Sequence, residues 1–141
     1  MKALLIGLGQ IGLGLVNPVF KSAGYDIVGT DADIGRLGDL GNGYLLEIPS
    51  GISACEIKTA KMEDLTNEFD LVITSVGRRH LDKVAEWYQR KKFLAPVLLA
   101  ENLPDPAIFF QSRFLLLLNV YRKYFARDHR ALRPKTRLRF C

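Results

Sequence analysis

Cysteine is scarce in this chain of 141 residues: only Cys55 and Cys141 occur, and their spacing matches neither a metal site nor a thiol redox motif. No metal centre is expected. Long apolar runs are missing as well, since the longest uninterrupted one, Phe114 to Leu118, falls far short of the ~20 residues that span a bilayer. A transmembrane segment is excluded on that ground. No secretory signal precedes the first apolar run, and together with the cysteine usage this points to a reducing, cytoplasmic setting. Hydrophobic residues nevertheless make up 48% of the chain, enough for a normal core, and the length suits one domain.

The positive content begins at the first residues. A hydrophobic strand, Lys2-Ala3-Leu4-Leu5-Ile6, runs straight into Gly7-Leu8-Gly9-Gln10-Ile11-Gly12-Leu13-Gly14, and Thr30-Asp31 closes a second apolar run. Glycines in this spacing between a strand and a helix form a dinucleotide-binding fingerprint, and each has its own task. Gly7 permits the tight turn, Gly9 lets backbone approach a pyrophosphate, and Gly12 allows close helix packing. The phosphates would lie at the N-terminus of a helix from Gln10 to about Ser22, where orphan N–H groups and the helix dipole favour negative charge. Asp31 stands 19 residues beyond Gly12, near the ~20 expected of an acid that accepts hydrogen bonds from ribose hydroxyls. NAD is the cofactor this combination predicts, because the carboxylate would repel a 2′-phosphate; Arg36 lies close enough in sequence to oppose that repulsion.

Further apolar runs alternate with helical segments, the pattern of a doubly wound, mostly parallel α/β sheet of the Rossmann type. Strands are predicted near 2–7, 26–31, 70–75 and 96–100. A short helix is expected at Asp33 to Leu40, a strand at Tyr44 to Ile48, and another at Ile52 to Thr59 after the Pro49-Ser50-Gly51 turn. Lys61 to Phe69 reads as a helical turn. Leu81 to Lys91 reads as an amphipathic helix burying Leu81, Val84, Ala85 and Tyr88. Ligands of open α/β sheets bind at the carboxyl ends of the strands. There the fourth strand presents Val76 and Gly77, placed for an adenine or ribose, and the fifth presents Glu101 and Asn102, placed for a nicotinamide ring or its substrate. An equally good reading of Asn102-Leu103-Pro104-Asp105-Pro106 is a capped, proline-stiffened start to the next helix. The predicted cofactor contacts are therefore Gly7, Gly9, Gln10, Ile11, Gly12, Asp31, Val76, Gly77, Glu101 and Asn102.

The glycine loop, Asp31, Asp70-Leu71-Val72-Ile73-Thr74-Ser75-Val76-Gly77 and Ala100-Glu101-Asn102-Leu103, taken in order, resemble the N-terminal domain of the mannitol-1-phosphate 5-dehydrogenase and polyol dehydrogenase family. The resemblance covers residues 1 to about 110. It implies NAD-linked oxidation of a sugar-alcohol phosphate, with the glycine loop and Asp31 on NAD and the Glu101-Asn102 tip near the reacting end. The chain departs from that family in having Leu13 where members commonly carry an arginine, which removes an expected cation beside the pyrophosphate. Members also continue into a large helical domain with the catalytic lysine, and nothing in these 141 residues corresponds to it. The chain is therefore expected to be inactive alone. Lys83, Lys91 and Lys92 lie on or after a surface helix, and His80 reads better as a helix-start residue than as the base that must reach a substrate hydroxyl. No catalytic residue is assigned.

Charge divides the chain at residue 112. Residues 113–141 carry nine Lys or Arg against the single acid Asp128, a formal +8, whereas residues 1–112 carry −3. The first part is read as the Rossmann domain and the second as a basic amphipathic helix and tail. A helix over about 106–132 would align Phe110, Phe114, Leu117, Leu118, Tyr121 and Phe125 on one face, with Arg122, Lys123, Arg127 and Arg130 opposite. That apolar face could cover the sheet, or join a homodimer or a partner subunit around Phe114 to Phe125. The basic face lacks a nucleic-acid motif, so nucleic acid and membrane are the least favoured partners. From Arg133 onward, Pro134 to Arg139 reads as a mobile arm. A nucleotide-sensing regulatory domain of the potassium-uptake type is the rival reading, because such domains share the length, glycine loop and acid. The segment Tyr44 to Thr59 lacks the pattern expected of them.

Overall fold

The computed structural model describes residues 1–41, 43–101 and 138–140. Asn102, the segment Phe114 to Phe125 and the basic tail up to residue 137 lie outside the described residues. Five parallel strands form the main sheet: β1 (Lys2–Ile6), β2 (Asp26–Thr30), β5 (Lys58–Thr59), β6 (Leu71–Thr74) and β7 (Val97–Leu99). Their order is β5-β2-β1-β6-β7, so the chain builds outward from β1 in one direction and then crosses to build in the other. This is the doubly wound Rossmann-like α/β fold, with its topological switch point between β1 and β6.

Alternation along β1 decides what covers each face. Leu4 and Ile6 join Val72, Val97 and Leu99 beneath α3 (Leu81–Arg90), which contributes Leu81, Val84, Ala85, Trp87 and Tyr88. Trp87, which the helical periodicity did not place in the core, is buried because the turn after α3 brings Phe93 against it, with ring centroids 5.1 Å apart. Ala3 and Leu5 join Leu71 and Ile73 on the other face, under the helix that follows the glycine loop.

That helix does not run as a regular α-helix from Gln10 to Ser22. Gly12–Val16 form a π-turn before α1 (Asn17–Ser22), and the Asn17 N–H donates to the Gly12 carbonyl. Pro18 accounts for it. A proline cannot donate to the carbonyl four residues earlier and its ring crowds that carbonyl, so the ladder widens locally. The widening leaves the Leu13 carbonyl without a backbone donor, and the Tyr44 hydroxyl donates to it at 2.6 Å. Asn17 Nδ2 in turn donates to the Tyr44 oxygen at 2.8 Å and to the Glu56 carbonyl at 3.2 Å. Burial pushes the Tyr44 hydroxyl well above the usual phenol range, so it remains a donor throughout the physiological range. Tyr44 thus ties α1 to the second sheet.

The second sheet, made of β3 (Tyr44–Ile48), β4 (Gly51–Cys55) and β8 (Leu138–Phe140), is antiparallel and has the order β4-β3-β8. After the short helix α2 (Ile34–Asp39), β3 turns back into β4. The single strand predicted over Ile52 to Thr59 is in fact two strands in different sheets. Ile52, Ser53 and Ala54 are exposed and have no core to face, whereas Ile57 is buried and draws the following residues onto β2 as β5. A second correction concerns the chain's end. Leu138–Phe140 form β8, paired with β3 through Leu46 and Leu138, Leu45 and Arg139, and Tyr44 and Phe140, so these residues are not part of a mobile arm. Of the helical turn predicted over Lys61 to Phe69 only Met62–Asp64 is helical, while Leu65 and Phe69 anchor the segment in the core. Among the described residues no helix is long and apolar enough to cross a membrane.

Thr30 and Thr74 flank Ile6 at the ends of β2 and β6, each fully buried with a hydroxyl that meets no hydrogen-bond partner among the described residues. A buried hydroxyl without a partner costs its desolvation energy, so Thr74→Val should raise stability by about 1 kcal/mol. Thermal unfolding checks this. A lower Tm for the Thr74→Val variant would mean that the hydroxyl makes a bond that matters.

Candidate functional site

Beyond β1 the chain makes the turn that the glycine spacing predicts. Gly7 has φ +99° and donates to the Thr30 carbonyl at 2.9 Å, and a Cβ on it would lie 2.6 Å from the Ser75 carbonyl oxygen. Both the backbone angle and the lack of room demand glycine. Gly12 is under a tighter limit, because a Cβ there would come within 2.2 Å of the Gly7 carbonyl oxygen and 2.7 Å of Ser75 Oγ. Its absent side chain lets the new helix sit on the loop and on the tip of β6. Ser75, at the tip of the fourth predicted strand, locks that junction by donating from Oγ to the Gly7 carbonyl at 2.6 Å and from N–H to the Ile6 carbonyl at 2.8 Å.

Gly9 differs from both. Among the described residues a Cβ built on it meets nothing within 4 Å, so their packing does not explain the glycine. The first helical bond runs from the Leu13 N–H to the Gly9 carbonyl at 2.9 Å, which leaves the N–H groups of the first turn pointing beyond the helix. Room beside a glycine, next to orphan donors at the positive end of a helix, is a cradle able to accept a phosphate group. Gln10 and Ile11 are exposed on this turn. Leu13 is fully buried in the core, so the position where an arginine was expected faces away from the cradle.

Asp31 stands just past β2. Its Oδ2 accepts the Leu8 N–H at 2.8 Å, and its Oδ1 accepts the Asp33 N–H at 3.0 Å. The carboxylate therefore links the glycine loop to the loop after β2, an arrangement that fixes its position beside the cradle. On the opposite side of β1, the tip of β6 continues into Val76 and Gly77, the latter with φ +80° and ψ 147°. Glu101, past the end of β7, is buried, and its two oxygens accept the N–H groups of Val76 and of Gly77, the second at 2.9 Å. Burial raises the Glu101 carboxyl above the usual carboxylate range, opposed by those two N–H groups and by His80.

The structure thus gathers Gly7, Gly9, Gln10, Ile11, Gly12, Asp31, Val76, Gly77 and Glu101 at the carboxyl ends of the sheet, while Asn102 lies outside the described residues. His80 sits in an exposed turn, Arg78–His80, that starts α3. Lys83 is exposed on α3, and Lys91 spends its ammonium on the Glu63 and Leu65 carbonyls.

The strand order and the glycine turn define the fold class: a Rossmann-type α/β domain. Solved structures agree on the fold. The chain is similar to a ketopantoate reductase of the PanE/ApbA family from Ralstonia eutropha (TM-score 0.66, 19% identity, 82% of this chain and 38% of that one). It is also similar to a UDP-D-ManNAc dehydrogenase from Pyrococcus horikoshii (TM-score 0.60, 21% identity, 75% and 29%). A third is D-mandelate dehydrogenase solved with NADH and anilino(oxo)acetate (TM-score 0.57, 17% identity, 70% and 33%). The chain spans well under half the length of each. No family model and no curated protein matches it.

Proposed function

We propose that this chain is the NAD-binding domain of an NAD-linked oxidoreductase. The observation that carries the reading is the contrast among the three glycines: a Cβ on Gly7 or Gly12 would collide with backbone of the fold, whereas one on Gly9 would meet none of the described residues within 4 Å, which leaves room for a ligand beside the first-turn N–H groups. When bound, the nicotinamide group supplies a hydride acceptor. The chain's own residues bind and orient it. First-turn N–H groups hold the pyrophosphate, and Asp31 accepts hydrogen bonds from the adenosine ribose. A carboxylate offers about four acceptor sites, so this role is compatible with its bonds to Leu8 and Asp33. With adenosine on the β2 side, the nicotinamide half lies across the switch point, over β6 and β7. The neighbouring structures are ketopantoate, mandelate and UDP-sugar enzymes. A polyol phosphate is the substrate class supported by the four ordered motifs alone, and it would need a basic pocket from outside the described residues.

Calorimetry with NADH, NADPH and ATP tests the reading. NADH should bind more tightly than NADPH, and Asp31→Ala should weaken NADH by ~1–3 kcal/mol through loss of a charge-assisted bond while narrowing the gap between the two cofactors. Equal wild-type affinity for NADH and NADPH would remove Asp31 from the ribose. ATP binding as tight as NADH would instead favour a nucleotide sensor.

A further inference from the structure

Glu101 is a carboxylate at the crevice that is almost closed to solvent, 4% exposed. Removing a carboxylate from water is costly unless its oxygens are hydrogen-bonded, and here both oxygens are engaged by consecutive backbone N–H groups, those of Val76 and Gly77. The turn they hold is an unusual one. With φ +80° and ψ 147°, Gly77 occupies a region of backbone space that is essentially closed to other residues, yet a Cβ on it would meet none of the described residues within 4 Å. The Val76 and Gly77 N–H groups both donate to Glu101 at this turn, and the Ala100 N–H donates to the Thr74 carbonyl at 2.9 Å, which fixes the end of β7 against β6.

Two adjacent N–H groups aimed at one point form an anion-binding nest. In this chain the protein's own carboxylate fills it, so neither the N–H pair nor Glu101 is directed at a ligand. We propose that Glu101 is a positioning residue that clamps the Val76–Gly77 turn into the wall against which the nicotinamide half of the cofactor rests. The proposal rests on the dinucleotide reading. It reassigns Glu101 from cofactor contact to support of the contact surface. Glutamine cannot replace it, because the amide offers one acceptor oxygen and turns an NH2 group toward the second donor.

Amide hydrogen exchange and ligand affinity together test the clamp in the full chain. In Glu101→Gln, the Val76 and Gly77 amides should exchange about tenfold faster, with the Leu8 amide unchanged. NADH affinity should fall about tenfold, the scale of one lost bond to a charged group, while ADP-ribose, which lacks the nicotinamide, should change less than about twofold. Gly77→Ala disturbs the same turn by backbone strain and should produce the same split, so the test survives if Glu101→Gln fails to fold. Unchanged protection of both amides in Glu101→Gln would refute the clamp. Equal losses for NADH and ADP-ribose in both variants would show that the turn serves the whole fold and not the nicotinamide wall. A wild-type protein that binds neither ligand would end the dinucleotide reading, and amide exchange would still decide whether Glu101 holds the turn.

Discussion

Gly9→Val should abolish dinucleotide binding in a protein that still folds. NADH affinity is expected to drop at least about a hundredfold, or ~2.7 kcal/mol. Stability should fall by only about 1 kcal/mol, because a branched residue replaces glycine at a helix start. The two effects separate because, among the described residues, a Cβ on Gly9 meets nothing within 4 Å. The methyl groups of valine would occupy the place where a pyrophosphate must approach the first-turn N–H groups. Calorimetry with NADH and a thermal melt on the same sample measure both quantities. Undiminished NADH affinity in a folded Gly9→Val protein would move the ligand, if there is one, to another surface.

The same glycine loop shows how far sequence reasoning reaches. The strand, loop, helix and acid were legible because each obeys a local rule: a short apolar run, glycines at fixed offsets, an acid at the end of the next strand. These rules placed β1, β2, β6 and β7 within a residue or two and gathered nine of the ten predicted contacts at one end of the sheet. They could not reveal what depends on residues distant in the chain. The Glu101 carboxylate meets the Val76 and Gly77 N–H groups only because β7 lies beside β6, and Asp31 reaches the Leu8 N–H only because β2 lies beside β1. Sequence alone gave Glu101 a polar side chain at a strand tip and therefore a ligand-facing role. Its burial argues for a different one. Pro18 was a visible signal that went unused, since a proline inside a helical pattern implies either a break or a local widening. The misreading of Ile52 to Thr59 had another cause. Apolar alternation announces strands but does not say which sheet they join, and here the one deeply buried residue, Ile57, decided.

Gly12→Ala should be strongly destabilising. The new Cβ would lie 2.2 Å from the Gly7 carbonyl oxygen and 2.7 Å from Ser75 Oγ, and those two atoms are themselves bonded to each other at 2.6 Å. Neither is the free end of a flexible side chain. The Gly7 carbonyl is held by a turn that glycine alone can make, and Ser75 is fixed by its N–H bond to the Ile6 carbonyl. Relief therefore requires the helix to move away from β1 and β6, and that would open the packing of Leu13 and Val16 against Leu5 and Ile73. The cost should reach about 3 kcal/mol, the upper range for an overpacked core, although alanine is the better helix former. For a domain of this size that is roughly 10 °C in Tm. NADH binding should also suffer, because the first-turn N–H groups move with the helix. Gly9→Ala, one turn away, adds the same methyl to open space and should change Tm by less than a few degrees. If the two alanine variants melted at the same temperature, the close contact among Gly12, Gly7 and Ser75 would not be a feature of the folded protein, and the distinction between structural and ligand-facing glycines would collapse with it.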